Sequence, residues 1–168
     1  MPVPNPLNIV NDPNYRPNVG IMITNQDRQL LAGEAFHYPG EWMMPQGGID
    51  AEESPFQAMQ RELVEETSIE YDNTRFIREH NEWLSYLFRK PLKKEGRLYI
   101  GQRQKWFLLE YDGPLPDATQ TLDKEFIRFD WVEPDWLMAH TTKFKIDLYR
   151  QVFTYFEFIF MKPKSIDI

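Results

Sequence analysis

The 168-residue sequence contains no cysteine and only three histidines. The absence of cysteine excludes disulfides, zinc sites built on thiolates and cysteine nucleophiles. The histidines, His37, His80 and His140, lack the spacing of metal ligands. The ~18–20 consecutive apolar residues of a membrane-spanning helix are missing, and the opening MPVPNPLNIV lacks the pattern of a secretory signal. We therefore expect a cytoplasmic protein with no membrane partner.

Basic residues are outnumbered, with 19 Lys and Arg against 26 Asp and Glu and a net charge of −7. This balance opposes broad binding along a nucleic-acid backbone, so DNA is not an expected partner. It is compatible with the binding of one anionic group through metal ions. Hydrophobic residues at 42% and charged residues at 27% describe a globular chain, and the length suits one well-buried domain.

The distribution of proline and of apolar residues predicts how the chain is organised. Residues 1–18 form a proline-rich arm and residues 19–168 a single domain. The pattern predicts an α+β fold with helices packed on a sheet. Strands are predicted at Val19–Thr24, Gln29–Ala35, Arg75–Phe88, Leu98–Tyr111 (one long strand or a pair) and Phe126–Val132, with a basic loop at Arg89–Arg97. Helices are predicted at Pro55–Thr67, Pro134–Ala139 and Lys143–Met161.

The predicted helix after Ser54 carries a cluster of carboxylates. Glu62, Glu65 and Glu66 are spaced i, i+3 and i+4, so their side chains converge on one side of the helix. Their mutual repulsion is relieved by a hard divalent cation, and oxygen ligands suit Mg²⁺ or Mn²⁺. The alternative is a solvated acidic face on which Arg61 pairs with Glu65 four residues later.

The segment Gly47–Ile69 resembles the signature of the Nudix hydrolases, G-x5-E-x7-R-E-U-x-E-E-x-G-U, in which U is a bulky apolar residue. Gly47, Glu53, the run Arg61–Thr67 and Ile69 match this signature, whereas Ser68 stands where the signature has glycine. Because that glycine follows the last helical turn, Ser68 is expected to strain the end of the helix more than the chemistry. The resemblance implies a Nudix α/β/α sandwich with a mixed central sheet and flanking helices.

The resemblance also implies the catalytic centre. It assigns Glu62, Glu65 and Glu66 as catalytic residues that bind Mg²⁺ or Mn²⁺, one of them orienting or deprotonating the attacking water. A backbone carbonyl at Gly47 would complete the metal shell, and Glu125 would be a further ligand. Without the resemblance, Glu125 would be read as an ordinary exposed glutamate at the start of a strand.

Two further groups of residues receive roles from the resemblance. Glu53 and Arg61 of the signature are expected to pair and to form part of its structural framework. Segments between Tyr15 and Arg150 are similar to the bacterial RNA pyrophosphohydrolase and dinucleoside polyphosphate hydrolase branch. In that branch the 5′ end of the substrate is held by residues that correspond to Arg16, Phe144 and Lys145, with Arg16 and Lys145 at the phosphates. Gln104 and Lys105 lie on a predicted strand that faces the same region, and both are expected to contact phosphate. Phe144 would stack on a base, or would instead be the first core contact of the last helix.

The expected activity is removal of pyrophosphate, or of successive phosphates, from the 5′-triphosphate or 5′-diphosphate end of RNA. The alternatives are hydrolysis of diadenosine polyphosphates or free nucleoside triphosphates, and nucleotide binding without hydrolysis. One departure bears on this choice: Glu34-Ala35 stand where the branch usually carries two arginines. The basic loop containing Lys90, Lys93, Lys94 and Arg97 would then supply the missing charge, unless it is merely solvated.

Overall fold

A computed structural model describes residues 12–161. Residues 1–11, most of the predicted arm, lie outside the described residues, as do residues 162–168. The strands are β1 Tyr15–Thr24, β2 Leu30–Ala35, β3 Trp42–Met43, β4 Gln46–Gly48, β5 Arg75–Glu79, β6 Leu84–Lys94, β7 Arg97–Glu110 and β8 Phe126–Val132. The helices are α1 Pro55–Thr67, α2 Pro134–His140 and α3 Ile146–Tyr155.

One mixed sheet forms the centre of the protein. Its main strand order is β3-β2-β1-β7-β5, while β4 pairs with β1, β6 with β7 and β8 with β2. β1 and β7 run parallel over ten residue pairs, from Tyr15↔Gly101 to Thr24↔Glu110. Parallel strands need a long crossover connection, and here the segment from β2 to β6, which includes α1, connects β1 to β7.

Helices cover both faces of this sheet, which confirms the predicted sandwich. Side chains of β1 and β7 alternate between the faces, as strand geometry requires. Ile21 and Phe107 pack toward α1 with Leu63, whereas Met22 and Trp106 pack toward α3. Where both faces are buried, the strands contain uninterrupted apolar segments, Val19–Ile23 in β1 and Trp106–Leu109 in β7. Within residues 12–161, no helix has the length and apolar character required to span a bilayer.

The first strand begins earlier than predicted, at Tyr15 rather than Val19. The predicted arm includes Pro17, because proline lacks the N–H that a residue of a central strand donates. The Pro17 carbonyl accepts a hydrogen bond from the Ile49 N–H (3.2 Å), on the side away from β7. Since the amide and carbonyl of a strand residue point the same way, the missing proline N–H interrupts no bond to β7.

The predicted strand Arg75–Phe88 and the basic loop Arg89–Arg97 are also corrected. β5 ends at Glu79 and a separate strand, β6, runs from Leu84 to Lys94. A turn at Glu95 and Gly96, with φ of 52° and 76°, then leads directly into β7. Positive φ at both central residues is the geometry of a tight β-hairpin, and lysines are well tolerated in an exposed strand.

The acidic helix begins and ends where the sequence predicts. Ser54 caps it by accepting the Gln57 N–H (3.1 Å), and the Gln57 side chain accepts the Ser54 N–H (2.9 Å). Ser68 ends it in the left-handed conformation, with φ of 64°. The predicted final helix is shorter than expected, because α3 ends at Tyr155 and only a 3₁₀ turn follows.

Candidate active site

The acidic side of α1 packs directly against β4. Gly47 makes this possible, because a Cβ at that position would overlap the carboxylate of Glu62. The backbone N–H of Gln46 donates to Glu66 Oε2 (3.1 Å). The two buried glutamates of α1 are therefore in contact with β4, with Glu62 only 7% and Glu66 only 5% exposed.

Arg61 organises the start of this arrangement. Its guanidinium donates to both carboxylate oxygens of Glu53, from Nε (2.8 Å) and Nη2 (2.9 Å). Nη1 donates to Glu62 (2.8 Å) and Glu65 (3.0 Å), and Nη2 also donates to the carbonyl of Gly48 (2.7 Å). Hydrogen bonds from Arg61 lower the pKa of Glu53. The structure thus contains the expected Glu53–Arg61 pair and also the Arg61–Glu65 pair that belongs to the alternative interpretation of the cluster as a solvated acidic face.

An acidic residue from a distant part of the chain joins the α1 glutamates. Carboxylate oxygens of Glu62, Glu65 and Asp123 all lie within 4.8 Å of one another. Asp123 is held there because its N–H donates to the Glu65 carbonyl (3.0 Å). Sequence reasoning missed Asp123, although its position two residues before Glu125 is a usable signal. A set of carboxylate oxygens this close together suits a hard divalent cation.

The electrostatics of these carboxylates also fit a bound cation. Burial raises the pKa of Glu62 to about 7, against the partly compensating charge of Arg61. Burial raises the pKa of Glu66 well above its ordinary value, and the charges of Glu62, Glu125 and Asp123 raise it further. Glu125 is thus near enough to act on Glu66. A divalent ion would neutralise the negative charge of these buried carboxylates.

A cavity of about 590 Å³ opens beside the acidic residues. Gln46 and Glu125 line it and also border the carboxylate cluster, so the two features form one site. The wall contains aromatic rings and cations as well as acids. Its lining includes Ala35, His37, Tyr38, Glu41, Met43, Tyr86, Phe88, Arg89, Lys90, Leu92, Gln102, Thr142, Phe144 and Lys145.

Lys145 is the buried cation of this cavity, only 3% exposed. Its Nζ donates to Gln46 Oε1 (2.9 Å) and lies 5.7 Å from the centre of the Tyr86 ring. Burial lowers the pKa of Lys145 to about 8, while the negative charge of Glu66 opposes the shift. At pH 7 this ammonium is still mostly protonated, and because burial disfavours its charge, an anionic phosphate beside it would stabilise the protonated form.

Phe144 lies in the wall beside Lys145. Its ring stacks with that of Tyr86, with centres 5.6 Å apart and planes 27° apart. The guanidinium of Arg89 lies 5.3 Å from the ring centre and donates to Thr142 Oγ1 (2.7 Å). Phe144 therefore contacts the core and also lines the cavity, so both roles considered for it are structurally available. Tyr86 and Arg89 were not identified from the sequence, and no short motif indicates them.

The other expected substrate residues are dispersed. Arg16 lies against β4, since a Cβ on Gly48 would overlap its guanidinium, and its charge acts on Tyr86 of the cavity. Gln104 is fully buried and donates to Asn18 (2.7 Å) and to Gln46 Oε1 (3.1 Å), so it supports the cavity from beneath.

Lys105 points to the opposite face of β7 from Gln104, because successive strand residues alternate. Its Nζ lies 3.9 Å from Glu79. The structure therefore does not bring Lys105 and Gln104 together, and the expected common contact with phosphate is not supported by their placement.

Glu34 and Ala35 have separate positions. Glu34 accepts the Gly40 N–H (2.9 Å) and pairs with Arg128 (3.1 Å), so its carboxylate holds the β2–β3 turn and β8. Ala35 lines the cavity. The carboxylate that replaces an arginine is thus neutralised by Arg128, and the cavity wall gains space at Ala35 rather than negative charge.

Comparison with known proteins decides the family. Residues 14–152 match the family described as NUDIX domain. The chain belongs to the Nudix family. Its match covers most of the chain, from the start of β1 to α3.

Curated Nudix relatives include two bacterial enzymes. The chain is 37% identical over 160 residues to an RNA pyrophosphohydrolase of Coxiella burnetii, covering 90% of this chain and 69% of the relative. It is 36% identical over 168 residues to an RNA pyrophosphohydrolase of Klebsiella pneumoniae, covering 94% and 95%. Among solved structures, the Escherichia coli dihydroneopterin triphosphate pyrophosphohydrolase superposes with a TM-score of 0.62 at 19% identity, covering 82% and 95%. This last likeness concerns the Nudix fold.

The low pKa of Lys145 predicts a pH-dependent rate. Above pH 8 the ammonium loses its proton, so kcat/KM for a polyphosphate substrate should fall about tenfold per pH unit. Lys145→Arg keeps the charge throughout this range, so its alkaline limb should disappear. The measurement is a pH profile of kcat/KM for both proteins.

The titration of Lys145 does not cause such a decline by unfolding the protein. The unfolded chain binds more protons at Lys145 than the native one between its pKa of about 8 and the ordinary 10.5. This residue's contribution to the free energy of unfolding therefore rises with pH across that window. An alkaline limb that persists unchanged in Lys145→Arg would assign the titration to another group.

Proposed function

We propose that this protein is a metal-dependent RNA pyrophosphohydrolase, acting in the cytoplasm with Mg²⁺ or Mn²⁺. It would convert the 5′-triphosphate or 5′-diphosphate end of RNA to a 5′-monophosphate. The observation that carries the proposal is the junction of a carboxylate cluster with a cavity of aromatic and cationic side chains. Gln46 and Glu125 belong to both. The names of the bacterial relatives support the same substrate class.

The carboxylates of the site would bind the metal ion and support the attack of water on phosphorus. Glu62, Glu65 and Asp123 offer converging oxygens for a divalent ion, with Glu66 and Glu125 at the cavity side. The bound ion would lower the pKa of a coordinated water and neutralise charge on phosphate oxygens. The oxygen of water would form a bond to phosphorus as the P–O–P anhydride bond breaks, one of the carboxylates would accept the proton of that water, and pyrophosphate or phosphate would leave.

The cavity would hold the 5′ end during this reaction. Lys145 and the cavity-lining cations Arg89 and Lys90 are available to phosphate oxygens. Phe144 offers an aromatic surface to the first base, and such stacking is tolerant of base identity. Arg61 holds Glu62 and Glu65 in position without lining the cavity wall.

The second candidate is hydrolysis of diadenosine polyphosphates or free nucleoside triphosphates. Ala35 favours it, because the cavity lacks at that position the cation expected for a triphosphate-end clamp. A nucleotide-binding protein without turnover is the remaining alternative, and the complete set of metal-type carboxylates speaks against it.

A product assay with Mg²⁺ separates these functions. Short 5′-triphosphate RNA, 5′-diphosphate RNA, diadenosine tetraphosphate and GTP would be compared with wild type and Glu66→Gln. We expect RNA ends to be hydrolysed with a kcat/KM about tenfold or more above the others, equivalent to ~1.4 kcal/mol in the transition state. A tenfold preference for the dinucleotide or GTP would favour the second candidate. Tight binding without metal-dependent turnover would favour the third.

A further inference from the structure

The β6–β7 hairpin is the most basic segment of an acidic protein. Residues 89–97 contain five Lys or Arg and one Glu, in a chain whose net charge is −7. The beginning of this segment lines the cavity through Arg89, Lys90 and Leu92. Its tip extends past the end of β1, which pairs with β7 only from Gly101 onward. The concentrated positive charge thus starts at the candidate active site and continues outward from it.

The register of the hairpin decides which side chains share a face. Leu92 lies opposite Tyr99, and Lys94 lies opposite Arg97. Opposed residues of an antiparallel pair share a face, as do residues two apart in one strand. The hairpin face is therefore formed by Leu92, Lys94, Arg97 and Tyr99. Lys93, which is opposite Leu98, belongs to the other face.

The hairpin face has the chemistry of a single-strand binding surface. A half-buried tyrosine ring lies beside two exposed cations, Lys94 and Arg97. Within the described range, neither cation forms an ion pair that would neutralise it. Leu92 connects this face to the cavity, and only about 7 Å of strand separates Leu92 from Lys94. An aromatic platform flanked by cations binds bases by stacking and the backbone by charge, with little sequence preference.

We propose that the hairpin face binds the RNA nucleotides that follow the 5′-terminal one. This inference rests on the proposed function, since it assigns the path of the chain attached to the reacting end. Lys94 and Arg97 contact backbone phosphates and Tyr99 stacks on a base. A protein of net charge −7 repels RNA at long range, and this local positive surface offsets that repulsion where the chain leaves the cavity.

Substrate length provides the test. We would measure kcat/KM for a 5′-triphosphate dinucleotide and for a single-stranded RNA of about twelve nucleotides with the same first two residues. Wild type should have a higher kcat/KM for the longer RNA than for the dinucleotide. In Lys94→Gln/Arg97→Gln, kcat/KM should fall about tenfold for the longer RNA and stay unchanged for the dinucleotide. Tyr99→Leu should cause a loss of similar size on the longer RNA. Arg78→Gln/Arg150→Gln, with the same change of charge at exposed sites elsewhere, should keep the wild-type preference.

Binding supplies a readout that does not depend on turnover. The fluorescence anisotropy of labelled 5′-monophosphate RNA would give the association constant at several salt concentrations. The slope of the logarithm of that constant against the logarithm of the salt concentration decreases in magnitude by about 0.7 for each phosphate contact that is lost. We expect the magnitude of this slope to decrease by about 1.4 in Lys94→Gln/Arg97→Gln, the hairpin pair, and to change little in Lys93→Gln, which alters the opposite face. Equal affinity of wild type and the hairpin pair, or an equal loss in the distant pair, would overturn the proposal. Failure of every RNA to be hydrolysed would instead contradict the proposed function, while binding would still decide the role of the hairpin.

Discussion

Glu66→Gln should lower kcat by about 10²–10³-fold and at the same time stabilise the metal-free protein. The loss of activity follows because a neutral amide is a poorer ligand for a divalent cation than a carboxylate is, and metal assistance contributes several kcal/mol to the rate. The fold should persist because the glutamine oxygen can still accept the Gln46 N–H. The measurements are kcat with Mg²⁺ and the melting temperature without metal.

The stabilisation should depend on pH with a definite sign. The native pKa of Glu66 is raised well above its ordinary 4.5, chiefly by burial. This group's contribution to stability is therefore complete below pH 4.5 and is lost as pH rises through the native pKa. Glutamine does not ionise, so the gain in melting temperature should vanish near pH 4 and grow toward neutrality. Glu70→Gln, on an exposed residue just beyond α1, is the matched control. Wild-type kcat in Glu66→Gln would show that Glu66 is not a metal ligand and would leave the ion to Glu62, Glu65 and Asp123.

Arg61→Gln should destabilise the protein by roughly 2–4 kcal/mol, the largest loss expected from a polar side chain of this site. The substitution removes the partner of Glu53 and of the buried Glu62, and also a hydrogen bond to the Gly48 carbonyl. A buried carboxylate without its counter-charge carries its full desolvation cost. Urea unfolding at neutral pH measures the change.

Two comparisons separate this effect from a general loss of charge. Arg61→Lys keeps the charge but cannot contact both oxygens of Glu53 and still reach Glu62, so it should recover only part of the stability. Arg150→Gln breaks an exposed pair with Asp147 and should cost less than about 0.5 kcal/mol. Wild-type stability in Arg61→Gln would mean that the network contributes nothing and that Arg61 has no framework role.

The boundaries predicted from the sequence were accurate where the interactions that determine them join residues close together in the chain. The acidic helix was predicted correctly because Ser54, Pro55 and the 3.6-residue period act within a few residues of one another. The boundaries of β1 and β6 were wrong because they depend on which strand lies alongside. Pro17 is tolerated by its orientation in the sheet, and the basic segment becomes a hairpin through the turn at Gly96.

By itself, the sequence determined the family and the fold class through the signature within Gly47–Ile69. It also determined the cluster of carboxylates on α1, since helical spacing alone places Glu62, Glu65 and Glu66 on one side. Only the tertiary structure decided that Asp123 joins Glu62 and Glu65, and that Tyr86 and Arg89 form a cavity wall with Phe144. The physical reason is sequence separation. Contacts between residues some 50 to 60 positions apart are set by strand register and packing, which no local periodicity encodes.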